Sequence, residues 1–266
     1  MRHISDKKRV VIKLGTSTLA HKTGKLNIRR MTNLVRVISD LHNSGREVIL
    51  VSSGAIGLGA GKLGLPEKPK DTQTKQAVAA IGQCELMHIY DDMFAKYTVT
   101  VAQILLTKTI ISNTDHCKNF ENTIAKLIEM KVIPIVNEND TIAIDELELE
   151  IGENDSLSAI VASLAKADLL LILSDIDGLY DDDPRKNPDA KPIHVVEKIT
   201  PEIEKVAGGA GSKLGTGGMT TKINAAKIAT AAGIDMVIMN GNDPELLYDL
   251  FEDKEVGTIF LANPRK

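Results

Sequence analysis

Seven short aliphatic runs punctuate the chain: RVVIKL (9–14), EVILVSS (47–53), TVAQILL (100–106), KVIPIVN (131–137), DLLLILS (168–174), DMVIMN (235–240) and GTIFL (257–261). Each is rich in Val, Ile or Leu and nearly continuous in apolar character, which predicts strands buried on both faces. Between them, apolar positions recur at helical spacing over 27–44, 73–96, 114–130, 155–166, 220–232 and 243–252. Strand-like runs alternating with helical segments predict an α/β fold with a mainly parallel sheet covered by helices on both faces. Gly45 and Gly233 stand just past two predicted helices, where a left-handed residue ends a helix.

Two stretches break this rhythm. IAIDELELEIGEN (142–154) alternates with period two and predicts an antiparallel ribbon, with Glu146, Glu148 and Glu150 on its solvated face. DGLYDDDPRKNPDAKP (177–192) is long for an idle connection, which suggests a segment that covers a ligand.

At 266 residues, with 43% hydrophobic and 26% charged positions, the chain suits one large α/β domain, and an aromatic share of 3% makes its core aliphatic. A net charge of −4 without a block of Lys and Arg argues against a dedicated nucleic-acid binder. The N-terminal MRHISDKKRVVIKLG lacks an apolar stretch of signal-peptide length, and no run is long enough to span a bilayer. Cys84 and Cys117 have neither CxxC spacing nor a histidine pattern beside them, so a reducing compartment, the cytoplasm, is expected.

Ligands of open α/β sheets bind beyond the carboxyl ends of the strands. The residues there are Lys13-Leu14-Gly15-Thr16-Ser17, Ser52-Ser53-Gly54-Ala55, Asn137-Glu138-Asn139-Asp140, Ser174-Asp175-Ile176-Asp177-Gly178 and Asn240-Gly241-Asn242. Gly15, Gly54, Gly217 and Gly218 would let backbone N–H groups approach a phosphate, or would simply make turns. Lys13 interrupts an apolar run, where a charge is expensive to bury without a partner. Lys222 follows GTGGMTT (215–221) in the first turn of a predicted helix, the unfavourable end of the macrodipole for a cation. Two cations beside several N–H donors suit phosphoryl transfer, and Asp155, opening the helix DSLSAIVASLAKA, is placed to hold them apart or simply to cap that helix.

Other motifs carry less. GTGGMTTK is not a Walker A loop, because Thr221 stands where GxxxxGK[ST] needs glycine. Gly59, Gly61 and Gly64 fit GxGxxG by chance, with no strand directly before them. DDDP (181–184) reads as a turn-rich loop rather than a metal cluster, the six histidines lack ligand spacing, and Met219 is expected to pack beneath its loop.

KLGTS, VSSGAIGLG, PIVNENDT, GENDSLSAIVA, LSDIDGLYDDDP and GTGGMTTKINAAKIA, in this order along the chain, together resemble the amino acid kinase family. The likeness runs from about residue 9 to 261 and is greatest to the branch that phosphorylates L-glutamate. It implies an open αβα sandwich, an acceptor-binding portion over about 1–165 and an ATP-binding portion over about 166–266. It further implies transfer of the γ-phosphoryl group of ATP to the γ-carboxylate of L-glutamate, for proline biosynthesis.

Carried over residue by residue, the likeness makes Lys13 and Lys222 transition-state cations and Asp155 their organiser. Ser53, Gly54, Asp140 and Asn154 become acceptor residues. ATP falls to Lys13, Gly15, Ser174, Asp175, Thr216, Gly217, Gly218, Met219, Thr220, Thr221 and Lys222, with Mg²⁺ carried by the phosphates rather than by direct protein ligands. A homo-oligomer, feedback by proline and hand-over to glutamyl phosphate reductase are also implied. The sequence closes on GTIFLANPRK, so a form without the C-terminal PUA domain of many bacterial relatives is expected, and Glu153 stands where relatives often have an aspartate in the GENDS motif.

A sibling kinase acting on N-acetylglutamate, aspartate, carbamate or a nucleoside monophosphate is the nearest alternative. Asp140 favours an acceptor with a free α-amino group, and the acceptor loops carry no Arg for a phosphate-bearing one. A non-catalytic sensor would be expected to lack one of the two lysines, and a nicotinamide-dependent oxidoreductase rests only on the stray GxGxxG.

Overall fold

A computed structural model describes residues 3–21, 25–107, 113–142, 154–184, 186–209 and 218–263. In chain order the elements begin with β1 (Arg9–Leu14), α1 (Thr16–Leu19), α2 (Ile28–Asn43), β2 (Glu47–Ser52), α3 (Ala55–Leu63), α4 (Thr72–Ala95), β3 (Val101–Leu106), α5 (Thr114–Glu129) and β4 (Ile133–Glu138). They continue with α6 (Asn154–Leu164), β5 (Leu169–Ser174), β6 (Leu179–Tyr180), β7 (Pro192–Ile193), β8 (Val195–Val196), α7 (Pro201–Gly209), α8 (Met219–Ala231), β9 (Asp235–Asn240), α9 (Leu246–Phe251) and β10 (Thr258–Phe260). The main sheet has eight strands and is mainly parallel, with flanking helices, as the aliphatic runs predict.

The chain divides into two compact units, 14–149 and 1–13 together with 150–266. In the first, the strands lie in the order β3-β4-β2, all parallel. β4 is buried along its first five residues and β2 along its last five, whereas β3, at the edge, is half-exposed along most of its length. The prediction of burial on both faces therefore fails for TVAQILL, because an edge strand has only one neighbour to cover it.

In this unit α3 and α4 cross at two glycines. A Cβ on Gly82 would lie 1.7 Å from the Ala55 carbonyl oxygen, and one on Gly59 would lie 2.1 Å from that of Val78. Gly59 thus serves helix packing and Gly64 (φ 66°) ends α3, which accounts for two of the stray GxGxxG glycines. Gly82→Ala should force α4 off α3 and lower stability by about 1–3 kcal/mol. Denaturant unfolding will show this as a lower midpoint with an unchanged slope, and an unshifted midpoint would contradict the close crossing.

In the second unit the order is β1-β5-β9-β10-β8. β5 and β9 are parallel and almost wholly buried, while GTIFL forms β10, which runs antiparallel to β9 and parallel to β8. Asp168, just before β5, accepts the N–H groups of Lys8 and Arg9 and so fixes the start of β1. The long segment 177–192 is less irregular than expected, because β6 and β7 pair antiparallel near its ends. α9 is shorter than the run 243–252 suggests. Gly45 (φ 106°) and Gly233 (φ 78°) have the predicted left-handed backbone. The ribbon expected over 142–154, with Glu146, Glu148, Glu150 and Glu153, lies outside the described residues except at its ends.

Candidate active site

In the unit formed by 1–13 and 150–266, three charged side chains meet inside the protein. Lys13 is the penultimate residue of β1, where its neighbours Ile12 and Leu14 are fully buried. Asp155 is the second residue of α6 and Lys222 the fourth of α8. Lys13 Nζ lies 2.7 Å from Asp155 Oδ1, and Lys222 Nζ lies 3.3 Å from Oδ2. Side-chain exposures of 12%, 1% and 5% for Lys13, Asp155 and Lys222 make this a buried cluster carrying one net positive charge.

Thr221 Oγ1 is 2.8 Å from Asp155 Oδ2 and 2.8 Å from the Gly218 carbonyl, so its one proton is shared between the carboxylate and the start of α8. Burial by itself pushes the Asp155 carboxyl up. The charges of Lys13 and Lys222, with hydrogen bonds from Lys13 and Thr221, outweigh burial and hold the group below the usual carboxylate range. Its place in the first turn of α6 also suits a negative charge. The ill-placed cation at the head of α8 thus has a partner within the protein, so the macrodipole conflict at Lys222 does not depend on a ligand for its relief.

The same unit holds Ser174, Asp175 and the head of α8, expected nucleotide residues, whereas Gly15 belongs to the other unit. Ser174 ends β5 and donates from Oγ to Asp175 Oδ1 at 3.2 Å, while its carbonyl accepts from Gly241 N at 2.7 Å. Asn240, ending β9, donates from Nδ2 to Asp177 Oδ1 at 2.6 Å and so ties together the loops after β5 and β9. Gly218 is the N-cap of α8 and supplies no side chain to its first N–H groups, leaving donors of the kind that accept phosphate. Met219 is half-buried and Thr220 is exposed. Asn154 begins α6 and is half-buried. Thr216 and Gly217 lie outside the described residues.

In the unit 14–149, Gly15 follows β1 and its carbonyl accepts from Thr18 N at 3.0 Å. Ser53 follows β2 and donates from Oγ to the Leu14 carbonyl at 3.0 Å. Gly54 is the N-cap of α3 at φ 102°, a backbone region that strongly favours glycine. Asp140, in the turn after β4, is half-buried, and burial reinforced by the Glu138 charge pushes its carboxyl up to about 6. Two polar residues of α4 serve the same strand ends. Tyr90 OH lies 2.9 Å from Ser52 Oγ, and Asn137 Nδ2 donates to Gln83 Oε1 at 2.8 Å. Neither Gln83 nor Tyr90 carries a sequence signal, because both sit in mid-helix, away from the strand ends where ligand residues are sought.

Residues 8–240 match the amino acid kinase family across most of the chain. This chain belongs to the amino acid kinase family. Within the family it is 56% identical over 261 residues to glutamate 5-kinase of Clostridium perfringens, covering 97% of each chain. It is 50% identical over 261 residues to glutamate 5-kinase of Listeria monocytogenes serovar 1/2a, covering 97% of this chain and 95% of that one. Solved structures share the amino acid kinase fold at low identity. Carbamate kinase from Giardia lamblia bound to AMP-PNP has a TM-score of 0.66 at 16% identity, covering 98% of this chain and 100% of that one. Isopentenyl phosphate kinase of T. acidophilum has 0.64 at 17%, covering 95% and 100%.

Proposed function

We propose that this chain transfers the γ-phosphoryl group of ATP to the γ-carboxylate of L-glutamate, giving L-glutamyl 5-phosphate, the first step of proline biosynthesis. The observation that carries this reading is the pair of buried lysines held on one carboxylate, in a chain half or more identical to glutamate 5-kinases. In the reaction a γ-carboxylate oxygen attacks the γ-phosphorus, the bond to the bridging oxygen breaks, and ADP leaves with its electron pair. Charge spreads over the three equatorial oxygens, where Lys13 and Lys222 stabilise it.

No general base is required, because a glutamate carboxylate with a pKa of about 4.3 is already ionised at neutral pH. Asp155 therefore acts as organiser. Both its oxygens face lysines, so it is not offered to a metal. Mg²⁺ in this reading is held by the nucleotide's phosphates and neutralises their charge. Gly15, Ser174, Asp175 and the loop from Thr216 to Thr221 are assigned to ATP, with N–H donors at the head of α8 receiving phosphate.

Ser53, Gly54, Asp140 and Asn154 are assigned to the acceptor. Ser53 and Asn154 supply hydrogen-bond donors for carboxylate oxygens, and Asp140 supplies a negative charge for the α-ammonium. The division of labour follows the chain, with the acceptor served mainly by the N-terminal portion and ATP by the C-terminal one. Homo-oligomeric assembly, feedback by proline and consumption of the labile acyl phosphate by glutamyl phosphate reductase extend the same reading. So does a cytoplasmic setting, which suits two cysteines outside any disulfide and a chain in which no described helix is long and apolar enough to cross a membrane.

The test is incubation with ATP, Mg²⁺ and hydroxylamine over a panel of amino acids and N-acetylglutamate. Hydroxamate formed with L-glutamate far faster than with the others is expected, and none with glutamate refutes the reading. Persistence of both lysines favours a kinase over a sensor of the same fold.

Asp140 gives this reading a pH signature. Its carboxyl must be ionised to attract the ammonium, and it gains a proton as pH falls through about 6. KM for glutamate should thus be lowest above that pH and rise about tenfold per unit well below it, while kcat changes less. Asp140→Asn should raise KM and remove the inflection. A KM that stays flat from pH 8 to 5 would contradict the role given to Asp140.

A further inference from the structure

We infer that Gln83 is a positioning residue for acceptor binding, setting the turn at 137–140 through Asn137; this rests on the acceptor reading above. Asn137 is 2% exposed, and its Oδ1 accepts the Glu138 N–H at 2.9 Å. That bond identifies the other end of the amide, Nδ2, as the donor facing Gln83, so Gln83 must present its oxygen at 2.8 Å. The pair locks the Asn137 side chain across the exit of β4, one peptide before Glu138 and three residues before Asp140.

Gln83 is 8% exposed, and its Nε2 has no hydrogen-bond partner among the described residues. An unpaired buried donor is destabilising, so as mere filler an apolar side chain of similar volume would serve better. What the amide contributes is the acceptor it offers Asn137.

The rest of α4 supports this role. Tyr90, seven residues on and therefore on the same helix face, is fully buried and places its hydroxyl against Ser52, directly before Ser53. Gly82, adjacent to Gln83, is the point of closest approach to Ala55, the residue after Gly54. One helix thus backs both acceptor loops, with its depth fixed by a glycine contact beside Gln83. Without Gln83, the Asn137 amide is no longer held, its bond to the Glu138 N–H is weakened, and the turn bearing Asp140 loses its set geometry.

The test is Gln83→Met, which keeps volume but removes the acceptor, assayed for glutamate-dependent hydroxamate beside wild type, Asn137→Ala and the double variant. Gln83→Met should raise KM for glutamate about five- to tenfold, with KM for ATP and kcat within about twofold. In the Asn137→Ala background it should add less than about twofold, because the residue acts through Asn137. Unchanged KM for glutamate, a parallel rise in KM for ATP, or a full-sized effect in the Asn137→Ala background would each overturn the inference. Should Gln83→Met fail to fold, Gln83→Glu decides. A carboxyl oxygen still accepts from Asn137, so KM should stay within about threefold of wild type, and a rise as large as that of Asn137→Ala overturns the inference. An inactive wild type refutes the acceptor reading itself, whereas an active wild type with Gln83→Met unaffected refutes only the positioning role.

Discussion

Lys222→Ala is expected to lower kcat by about a hundred- to a thousandfold, with KM for ATP and glutamate changed by less than about threefold. Charge accumulates on the transferring phosphoryl group only as the old P–O bond breaks, so a cation aimed there stabilises the transition state more than the bound substrates. The variant should remain folded, because Asp155 keeps Lys13 at 2.7 Å and the Thr221 hydroxyl at 2.8 Å, and the cluster becomes a neutral pair. Lys13→Ala should behave alike, since the two lysines occupy different oxygens of one carboxylate. Steady-state kinetics beside a thermal melt will separate lost turnover from lost fold. Near-normal turnover in either variant would remove that lysine from the mechanism.

Asp155→Asn should have the opposite balance, with loss of stability as well as activity. It takes away the carboxylate that both lysines, 12% and 5% exposed, are held on. Removing one partner from a buried ionic cluster costs about 3–5 kcal/mol, which for a chain of this size lowers Tm by roughly 10 °C. The pH dependence has a definite sign. In wild type the folded-state pKa of Asp155 is depressed, so its contribution is present above the unfolded carboxylate pKa and is lost as pH falls through the folded value. In Asp155→Asn that acid-side contribution disappears. Added phosphate or ATP should stabilise the variant more than wild type by supplying the missing negative charge. A melt indistinguishable from wild type would show that the two lysines do not depend on Asp155.

The cluster was legible in the sequence because its two lysines each break a local rule. Lys13 interrupts an aliphatic run, and Lys222 is a cation at the head of a helix. Asp155 obeys its local rule as a first-turn acid, and only the need to separate two cations singles it out. The central strands were legible for a similar reason, since β1, β5 and β9 are apolar over nearly their whole length. β6, β7 and β8 are two residues each and carry no usable period. α3 is missing from the predicted helices because glycine weakens a helical pattern, and the contacts of Gly59 with α4 and of Gly82 with α3 show why the two helices need glycine there. Gln83 and Tyr90 were not legible at all, because their partners are 54 and 38 residues away in the chain. Long-range pairing of this kind leaves no periodic trace.

The central claim, that the glutamate γ-carboxylate is the nucleophile toward ATP, is tested most directly by the fate of its oxygens. With both γ-carboxylate oxygens labelled as ¹⁸O, transfer makes one of them the bridge to phosphorus. Hydroxylamine then attacks the acyl carbon and expels phosphate with that bridging oxygen. Mass analysis should find one ¹⁸O in each inorganic phosphate released together with glutamyl hydroxamate. Phosphate released without label would mean that water, not glutamate, receives the phosphoryl group, and would contradict the account.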